Sequence, residues 1–212
     1  AIRALARLAA RQTLKRSPPA LGAPSSVRLP ARGGVIAEHE GKSILRAWGA
    51  AIPAGRLATN AEAASEVAAE LGFPVVFKAQ SAALPHKSDA GGVLLNIGSR
   101  TQARAAWDEI HANVQAYDPK LALDGVLVER MAARGVEMIV GARRDPAWGP
   151  VLLVGFGGVQ AELFKDVRVL APDLSAEEIK AEVLKLRCAA LLTGFRGAPA
   201  AARSSMPVRP AG

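Results

Sequence analysis

A lysine at the end of an apolar run is the first residue of this sequence whose setting points to chemistry. Lys78 directly follows the run 74–77. If this run is a buried strand, the Lys78 ammonium needs an anionic partner, because removing an unpaired charge from water is costly. A phosphate group would serve as that partner. The alternative is a lysine at a strand exit whose stem lies on apolar surface while its charged end reaches water.

The segment after Lys78 contains the polar groups and the flexible backbone that a phosphate-binding loop uses. A histidine, a cation, a hydroxyl and two glycines occur within residues 84–93: His86, Lys87, Ser88, Gly91 and Gly92. Glycines allow backbone amides to approach a polyphosphate closely, and Lys87 adds positive charge. The segment is therefore a candidate phosphate-binding loop. Its alternative is an ordinary polar hairpin between two strands.

Two later segments place acidic residues beside apolar ones. Residues 127–131 read as a strand that runs into a short turn. Such a turn can present backbone groups to the edge of an adenine, with Met131 packing on the ring. Glu137 is flanked by Val and Met, which is unusual for an acid that binds nothing. The alternative is that Glu137 forms an ion pair with Arg130 or Arg143.

A candidate magnesium site follows a glycine-rich turn. Glu162 and Asp166 follow residues 155–158, with Lys165 between the two acids. Carboxylates near phosphate-binding lysines suit Mg²⁺, which prefers oxygen ligands and bridges phosphates. The spacing alone is weak evidence, since acids four residues apart are common on protein surfaces.

Three better-known motifs fail on a single residue each. Residues 41–43 (Gly-Lys-Ser) look like the end of a P-loop, but the required earlier glycine is Ile36. The glycines at 155–157 follow a predicted strand, but the third glycine of a dinucleotide fingerprint is replaced by Gln160. No second histidine follows His39 at the spacing of a zinc protease.

The elements that must position these residues alternate between helical and extended patterns. The helices are expected at 38–48, 61–71, 100–116 and 176–187. Capping boxes mark three helix starts: Thr59 with Glu62, Ser99 with Gln102, and Ser175 with Glu178. The strands are expected at 74–79, 92–97, 125–131, 136–141, 150–156 and 167–170. This pattern predicts an α+β fold in which helices cover a largely antiparallel sheet.

The charge distribution argues against a nucleic-acid partner. The chain of 212 residues has a net charge of +8. Residues 1–34 contain seven basic residues and residues 198–212 contain two, and neither segment contains an acid. The segment 35–197 therefore holds 18 basic and 19 acidic residues, so the excess charge belongs to the ends. A basic groove lined with aromatic residues is not visible.

Composition also suggests how the chain is divided. Residues 1–34 read as a basic helix followed by a flexible Pro- and Gly-rich linker, residues 35–197 as the folded domain, and residues 198–212 as a Pro-, Ala- and Arg-rich tail. The Arg-rich start also resembles a transit peptide. No apolar stretch is long enough to span a membrane, and a cytoplasmic location is expected. The single cysteine, Cys188, is expected to be a buried thiol.

Five ordered motifs together resemble a known family. They are residues 72–78, 86–93, 135–141, 144–150, and 155–158 continued through 165–167. In these stretches the chain is similar to the ATP-grasp domain of NDP-forming acyl-CoA synthetases, the group that includes ADP-forming acetate–CoA ligases. It resembles the nucleotide-binding chain of succinyl-CoA synthetase more distantly. The resemblance implies an ATP-grasp fold, in which two α+β lobes with antiparallel sheets hold ATP between them.

The resemblance also implies roles for individual residues. Lys78 and the loop residues Lys87, Ser88, Gly91 and Gly92 would bind the phosphates of ATP or ADP. The adenine would lie at a hinge formed by Glu129, Arg130 and Met131. The ribose or the phosphates would lie near Glu137. Glu162 and Asp166 would bind Mg²⁺. His86 would accept a phosphoryl group as a phosphohistidine, assisted by Lys87, or would only hydrogen-bond a phosphate oxygen.

The implied reaction is acid + CoA + ATP ⇌ acyl-CoA + ADP + phosphate, through an acyl phosphate and a phosphohistidine on a mobile loop. The partners would be a CoA-binding and ligase domain or an α-type subunit, with a small carboxylic acid and CoA as substrates. This chain alone would then be inactive. Two alternatives remain open. One is an ATP-grasp carboxylate–amine ligase, and the other is an ATP-sensing module of a protein acetyltransferase or transporter.

Overall fold

The computed structural model describes residues 33–133, 135–158, 166–196 and 200–201. These residues fall into two compact units, divided after residue 133. The first unit comprises the described residues up to 133, and the second comprises those from 135 onwards.

The first unit contains three helices and a four-stranded sheet. In chain order its elements are α1 (Glu38–Ala47), β1 (Gly55–Ala58), α2 (Ala61–Leu71), β2 (Val75–Gln80), β3 (Val93–Ile97), α3 (Arg100–Tyr117) and β4 (Gly125–Arg130). The strands lie in the order β1-β4-β2-β3, and each neighbouring pair is antiparallel. The predicted helices and strands of this segment are therefore confirmed to within a few residues.

The hydrophobic core of this unit lies between one face of the sheet and the helices α2 and α3. Alternate residues of the strands enter it, including Phe77 on β2 and Val128 on β4. The two helices contribute small or branched residues such as Ala68, Ile110 and Val114. The period of two along the strands therefore directs one set of side chains into the core and leaves the other set on the opposite face.

The helix starts differ in two cases from the capping boxes that the sequence suggests. The prediction of Thr59 as the cap of α2 is wrong, because Asn60 occupies that position and its Oδ1 accepts a hydrogen bond from the Ala63 amide at 2.8 Å. Asn60 is extended at the helix start, so its short side chain reaches the free amide three residues on. Ser99 caps α3 as expected, but the Gln102 side chain accepts the Gly98 amide at 2.7 Å, so only the Ser99 half of that capping box is present.

β1 is missing from the sequence prediction. Its four residues Gly-Arg-Leu-Ala contain no β-branched side chain, which is the signal used for the other strands. It is an edge strand whose pairing with β4 decides its conformation. A Cβ at Gly55 would lie 2.6 Å from Glu129 Cγ, so the close approach of these two strands requires glycine there.

The second unit is a three-stranded antiparallel sheet with two short helices. Its elements are β5 (Met138–Asp145), β6 (Gly149–Phe156), β7 (Val167–Leu170), α4 (Ala176–Val183) and α5 (Ala190–Thr193), and the sheet order is β5-β6-β7. The capping box of Ser175 and Glu178 at the start of α4 is confirmed. The predicted α+β fold with largely antiparallel sheets is confirmed in both units.

Helix α4 ends at Val183, four residues earlier than expected. The Asp166 carboxylate accepts the amides of Arg187 at 3.0 Å and Cys188 at 2.9 Å. These amides therefore do not continue a helical ladder. Cys188 is half-buried, so the expectation of a fully buried thiol is wrong. Within the described ranges, no helix is both long and apolar enough to cross a bilayer.

Candidate functional site

The sheet of the first unit places Lys78 and Glu129 on its second face, away from the core. Lys78 on β2 is paired with Leu127 on β4, and Glu129 lies two residues further along β4. Residues two apart on a strand share a face, so Lys78 and Glu129 are diagonal neighbours. The Lys78 ammonium lies 2.7 Å from Glu129 Oε2. The expected anionic partner of Lys78 is thus supplied by protein carboxylates in this structure.

Helix α1 brings a second pair of charges to the same place. Lys42 donates to both carboxylate oxygens of Glu129, at 2.5 and 2.7 Å. Glu38 lies one turn earlier on the helix and contacts Lys42 at 2.6 Å and Lys78 at 3.0 Å. Glu38 also contacts Lys87, at 3.2 Å. We call Glu38, Lys42, Lys78, Lys87 and Glu129 the charge cluster.

Ion pairing within the charge cluster keeps Glu38 and Lys78 ionised. Burial alone would raise the pKa of Glu38, but hydrogen bonds from Lys42 and Lys78 and their positive charges outweigh it and lower the pKa to about 2. Burial likewise opposes the charged form of Lys78. The hydrogen bond to Glu129 and the charges of Glu38 and Glu129 outweigh that effect and raise the pKa of Lys78. Lys78 therefore remains a cation at neutral pH.

Polar contacts also hold the start of α1 against β2. The buried Gln80 side chain accepts a hydrogen bond from the His39 amide at 2.9 Å. Its own amide group donates to the Ala79 carbonyl at 2.9 Å, which fixes its orientation. Helix α1 has no buried residue. Gln80 and the charge cluster therefore contribute to holding the helix in its position.

The predicted phosphate loop and Lys78 meet at one cavity of about 390 Å³. The cavity is lined by Glu38, Lys78, Pro85, His86, Lys87, Ser88, Asp89 and Val93. His86 and Ser88 are exposed, and the Lys87 ammonium lies 3.2 Å from Glu38 Oε2. Two cations, a histidine and a hydroxyl thus share one concave surface with two carboxylates, Glu38 and Asp89. The cations, the histidine and the hydroxyl are groups that a phosphate-binding site uses.

The two glycines of this loop have roles in its conformation that need no bound phosphate. Gly91 has φ of +61°, and a Cβ there would lie 2.9 Å from Asn113 Nδ2. The amide of Gly91 donates to Ser88 O at 3.1 Å and that of Gly92 to Lys87 O at 2.8 Å. Both amides are therefore already hydrogen-bonded in this conformation, and phosphate binding by Gly91 and Gly92 stays a prediction.

The predicted adenine hinge begins at the end of β4. Glu129 is directed into the charge cluster, whereas Arg130 is exposed and Met131 is half-buried. The Arg130 amide donates to Ala54 O at 3.0 Å, and the Met131 amide lies 3.5 Å from Pro74 O. An adenine contact of these three residues stays a prediction. The burial of Glu129 shows that its side chain has a role in the charge cluster.

In the second unit, Glu137 and Asp166 occupy different settings. Glu137 is exposed just before β5, and its carbonyl accepts the Gly157 amide at 2.7 Å. Arg143, one partner considered for Glu137, instead pairs with Asp145 at 2.8 Å. Asp166 is buried, and burial alone would raise its pKa, but the amide hydrogen bonds of Cys188 and Arg187 lower it.

The magnesium prediction remains a prediction for both acids. Glu162 lies outside the described residues. Across the described part of the chain, three or more His, Cys, Asp or Glu side chains never come together in a group that could hold a metal ion. Asp166 accepts one amide hydrogen bond on each oxygen, and the Arg187 guanidinium lies 3.7 Å from its Oδ1, so its charge already has partners in this structure.

Sequence reasoning missed two members of the charge cluster, Glu38 and Lys42. Lys42 stands out in the sequence only as part of an incomplete P-loop. One signal was present, because an acid and a base four residues apart in a predicted helix share one helix face. Their contacts with β2 and β4 span about 40 to 90 positions of sequence, and no local pattern reports that separation.

A family model and several known proteins match this chain. The family model described as ATP-grasp domain matches residues 28–207. The chain is 52% identical over 172 residues to a trans-feruloyl-CoA synthase from an unknown prokaryotic organism, covering 81% of this chain and 24% of the synthase. It is 38% identical to the β subunit of acetate–CoA ligase (ADP-forming) I of Pyrococcus furiosus, covering 76% of this chain and 70% of the subunit.

A solved structure shows the same fold. The acetyl-coenzyme A synthetase 1 of Ca. Korarchaeum cryptofilum, in complex with coenzyme A, Ca-AMPCP and HgCl⁺, is 40% identical to this chain. The match covers 79% of this chain and 73% of that one, with a TM-score of 0.76. The chain thus spans about a quarter of the trans-feruloyl-CoA synthase but most of the two separate chains. The protein therefore belongs to the ATP-grasp domain family found in ADP-forming acyl-CoA synthetases.

Proposed function

We propose that the cavity of the first unit binds the phosphate chain of ATP, and that this chain is the ATP-handling part of an ADP-forming acyl-CoA synthetase. The complete enzyme would convert a carboxylic acid, CoA and ATP into acyl-CoA, ADP and phosphate. The observation that carries the proposal is that Lys78, His86, Lys87 and Ser88 line one cavity. The similarity to an ADP-forming acetate–CoA ligase subunit supports the reaction class.

The electrostatics of the cavity suit a polyphosphate. Lys78 projects from a strand whose position is fixed by pairing on both sides, and Lys87 projects from the loop above it. Lysine binds phosphate as a point charge, and hydrogen bonds between ionised groups are about twice as strong as neutral ones. Ser88 adds a hydroxyl donor. The site would therefore hold the phosphate end of the nucleotide, where the reacting bond lies.

His86 is the nucleophile in the proposed phosphoryl transfer. A ring nitrogen with a free lone pair would attack the γ-phosphorus, forming an N–P bond. The bond from that phosphorus to the β,γ-bridging oxygen would break, and ADP would leave with the electron pair. The Lys87 ammonium would offset the negative charge that develops. The phosphoryl group would then pass to a mobile loop of the partner domain.

Glu162 and Asp166 are the proposed ligands for Mg²⁺. Mg²⁺ held by these two carboxylates would supply positive charge that offsets the negative charge of the phosphates. The proposal is tested by titrating MgATP and metal-free ATP into the Glu162→Gln/Asp166→Asn variant. We expect the variant to lose the difference between the two titrations. An unchanged preference for MgATP would place the metal ligands elsewhere.

Calorimetric titration of the chain with MgATP tests nucleotide binding. Lys78→Ala should weaken binding by about 1–3 kcal/mol, the range for a lost charge-assisted hydrogen bond. Lys87→Ala should weaken it by a similar amount, with less effect on folding because Lys87 lies on a loop. The exposed Lys120 provides the matched control, and Lys120→Ala should bind like the parent. Equal affinity in all four proteins would contradict the assignment of the cavity.

Transfer to His86 is tested by labelling with γ-labelled ATP. We expect a covalent label that is acid-labile and base-stable, and that is absent in His86→Ala. His111 is a control histidine outside the cavity, stacked on Trp107 at 4.3 Å between ring centroids. His111→Ala should label normally. If His86→Ala still becomes labelled and supports the full rate of the complete enzyme, His86 only hydrogen-bonds phosphate.

The proposed partner is a CoA-binding and ligase domain or an α-type subunit, which would supply the acyl site and the mobile loop. The purified 212-residue chain should therefore bind ATP without forming acyl-CoA from acid, CoA and ATP. Thioester formation should appear when the partner is added. Robust thioester formation by the chain alone would contradict this division of labour.

A further inference from the structure

The charge cluster contains an acid whose position is unusual for a phosphate site. Glu38 lines the cavity, and its carboxylate contacts all three lysines of the cluster: Lys42 at 2.6 Å, Lys78 at 3.0 Å and Lys87 at 3.2 Å. A carboxylate between two phosphate-binding lysines would repel a phosphate that enters the cavity. Its presence there needs a functional explanation.

The two acids of the charge cluster differ in their access to the cavity. The Glu129 side chain is 3% exposed and contacts Lys42 and Lys78 from the sheet side. The Glu38 side chain is 24% exposed and is the one acid that touches Lys87 among the ion pairs of the described residues. Glu129 is therefore a structural counter-ion, whereas Glu38 stands where an incoming anion would contact Lys78 and Lys87.

We infer that the Glu38 carboxylate is an internal counter-anion of the cavity, which a phosphate group must displace from Lys78 and Lys87 in order to bind. This inference rests on the proposed function. It assigns Glu38 to setting nucleotide affinity: the carboxylate neutralises the lysines before ATP arrives and opposes the retention of phosphate afterwards. A site that must release ADP and phosphate in each turnover gains from such an opposing charge.

The attachment of Glu38 makes displacement feasible. Its helix α1 contains no buried residue, and Gln80 and the charge cluster contribute to holding it against the sheet. Moving the Glu38 carboxylate away from the lysines therefore breaks ion pairs without opening the hydrophobic core. A phosphate would restore the same ion pairs with more negative charge, so that the lysines exchange one anionic partner for another.

The net charge of the charge cluster predicts how substitution of Glu38 changes the affinity for phosphate groups. With three ammoniums and two carboxylates the cluster carries one net positive charge, and Glu38→Gln raises it to two. A single charge within about 4–6 Å changes the equilibrium of an ionised group by about tenfold or more, and salt weakens the effect. Glu38→Gln should therefore bind ATP and inorganic pyrophosphate about tenfold more tightly than the parent, with a smaller gain at high salt.

The test titrates ATP and inorganic pyrophosphate into the full chain, its Glu38→Gln variant and a matched control. Glu62→Gln makes the same chemical change at an exposed helix residue that pairs with Arg104, outside the cavity. Circular dichroism checks that each variant is folded. We expect tighter binding by Glu38→Gln and parental binding by Glu62→Gln. Glu38→Asp, whose shorter side chain reaches the lysines less well, should show a smaller gain.

The outcomes separate this inference from the proposed function. If the parent binds ATP but Glu38→Gln and Glu38→Asp bind equally or more weakly, Glu38 supports the lysines and the inference is overturned while the nucleotide site stands. If Glu38→Gln does not fold, the Glu38→Asp result decides in the same way. If neither the parent nor any variant binds ATP or pyrophosphate, both the site and the inference fail.

Discussion

The two faces of the sheet in the first unit are built from the same strands by opposite means. On the core face, Phe77 and Val128 pack against α2 and α3 and are fully buried. On the other face, one position along each strand, Glu129 pairs with Lys78 and with Lys42 on α1. One face excludes water by packing apolar groups, and the other holds ionised groups in fixed positions.

The core face therefore contributes mainly to the stability of this unit, whereas the charged face also contributes to its proposed binding of anions. Burial of apolar area is non-directional, so helices α2 and α3 can be held by many small contacts. The ion pairs on the second face depend on individual atoms and on the net charge. Changes on the core face should therefore reduce the free energy of unfolding, whereas changes on the charged face should alter both stability and affinity for anions.

The largest effect is expected on the core face, from Phe77→Ala. Removing a fully buried aromatic ring should lower the free energy of unfolding by about 3–5 kcal/mol, because the surrounding helices cannot fully close the cavity. Urea unfolding measures the loss. Leu95→Ala is the matched control, since Leu95 is exposed on β3. A loss below about 1 kcal/mol for Phe77→Ala would contradict the assigned core.

A somewhat smaller loss is expected on the charged face, from Glu129→Gln. Neutralising this buried carboxylate leaves Lys42 and Lys78 with Glu38 as their shared anion, which should cost about 3 kcal/mol. Urea unfolding again provides the measurement. Glu70→Gln, which removes an exposed pair with Arg56, should cost at most about 1 kcal/mol. Equal losses in the two variants would show that Glu129 is not a buried counter-ion.

A pH dependence should distinguish the charged face from the core face. Because the pKa of Glu38 is lowered from 4.5 to about 2, the unfolded chain binds a proton there more readily than the folded chain. The stabilisation by Glu38 is thus fully present above about pH 4.5 and is lost as the pH falls towards 2. Urea unfolding between these pH values should show a weaker acid dependence in Glu38→Gln. An identical dependence would mean that Glu38 is not held by the lysines.

The smallest effect is expected at the start of α2, at the edge of the core face. Asn60→Ala should lower the free energy of unfolding by about 1 kcal/mol, because the Ala63 amide loses its acceptor. Thr59→Ala should change it by less than about 0.5 kcal/mol. Thermal unfolding resolves the two. A larger loss from Thr59→Ala than from Asn60→Ala would show that Thr59 is the cap of α2, as the sequence suggests.

The sequence was sufficient for most of the helices and strands and for the family. β2 and β4 are apolar runs whose β-branched residues favour extended backbone, and the capping box of Ser175 and Glu178 marks the start of α4. These signals are local, because each depends on residues within about six positions of one another. The family resemblance likewise depends on short motifs, which the family match and the relatives confirmed.

Tertiary structure decided the end of α4, the strand β1 and the charge cluster. The turns that follow α4 present the amides of Arg187 and Cys188 to Asp166, and β1 exists through its pairing with β4. Neither partner is near in sequence, so local propensity could not report either feature.

The same reason explains why the sequence identified Lys78 but not its partners. An ammonium at the end of an apolar strand needs an anion, and that requirement is readable from composition alone. Which anion fulfils it depends on the strand register that brings Glu129 beside Lys78 and on Gln80, which holds α1 so that Glu38 reaches the cavity. Charge interactions fall off over a few ångströms, and only the folded chain sets those distances.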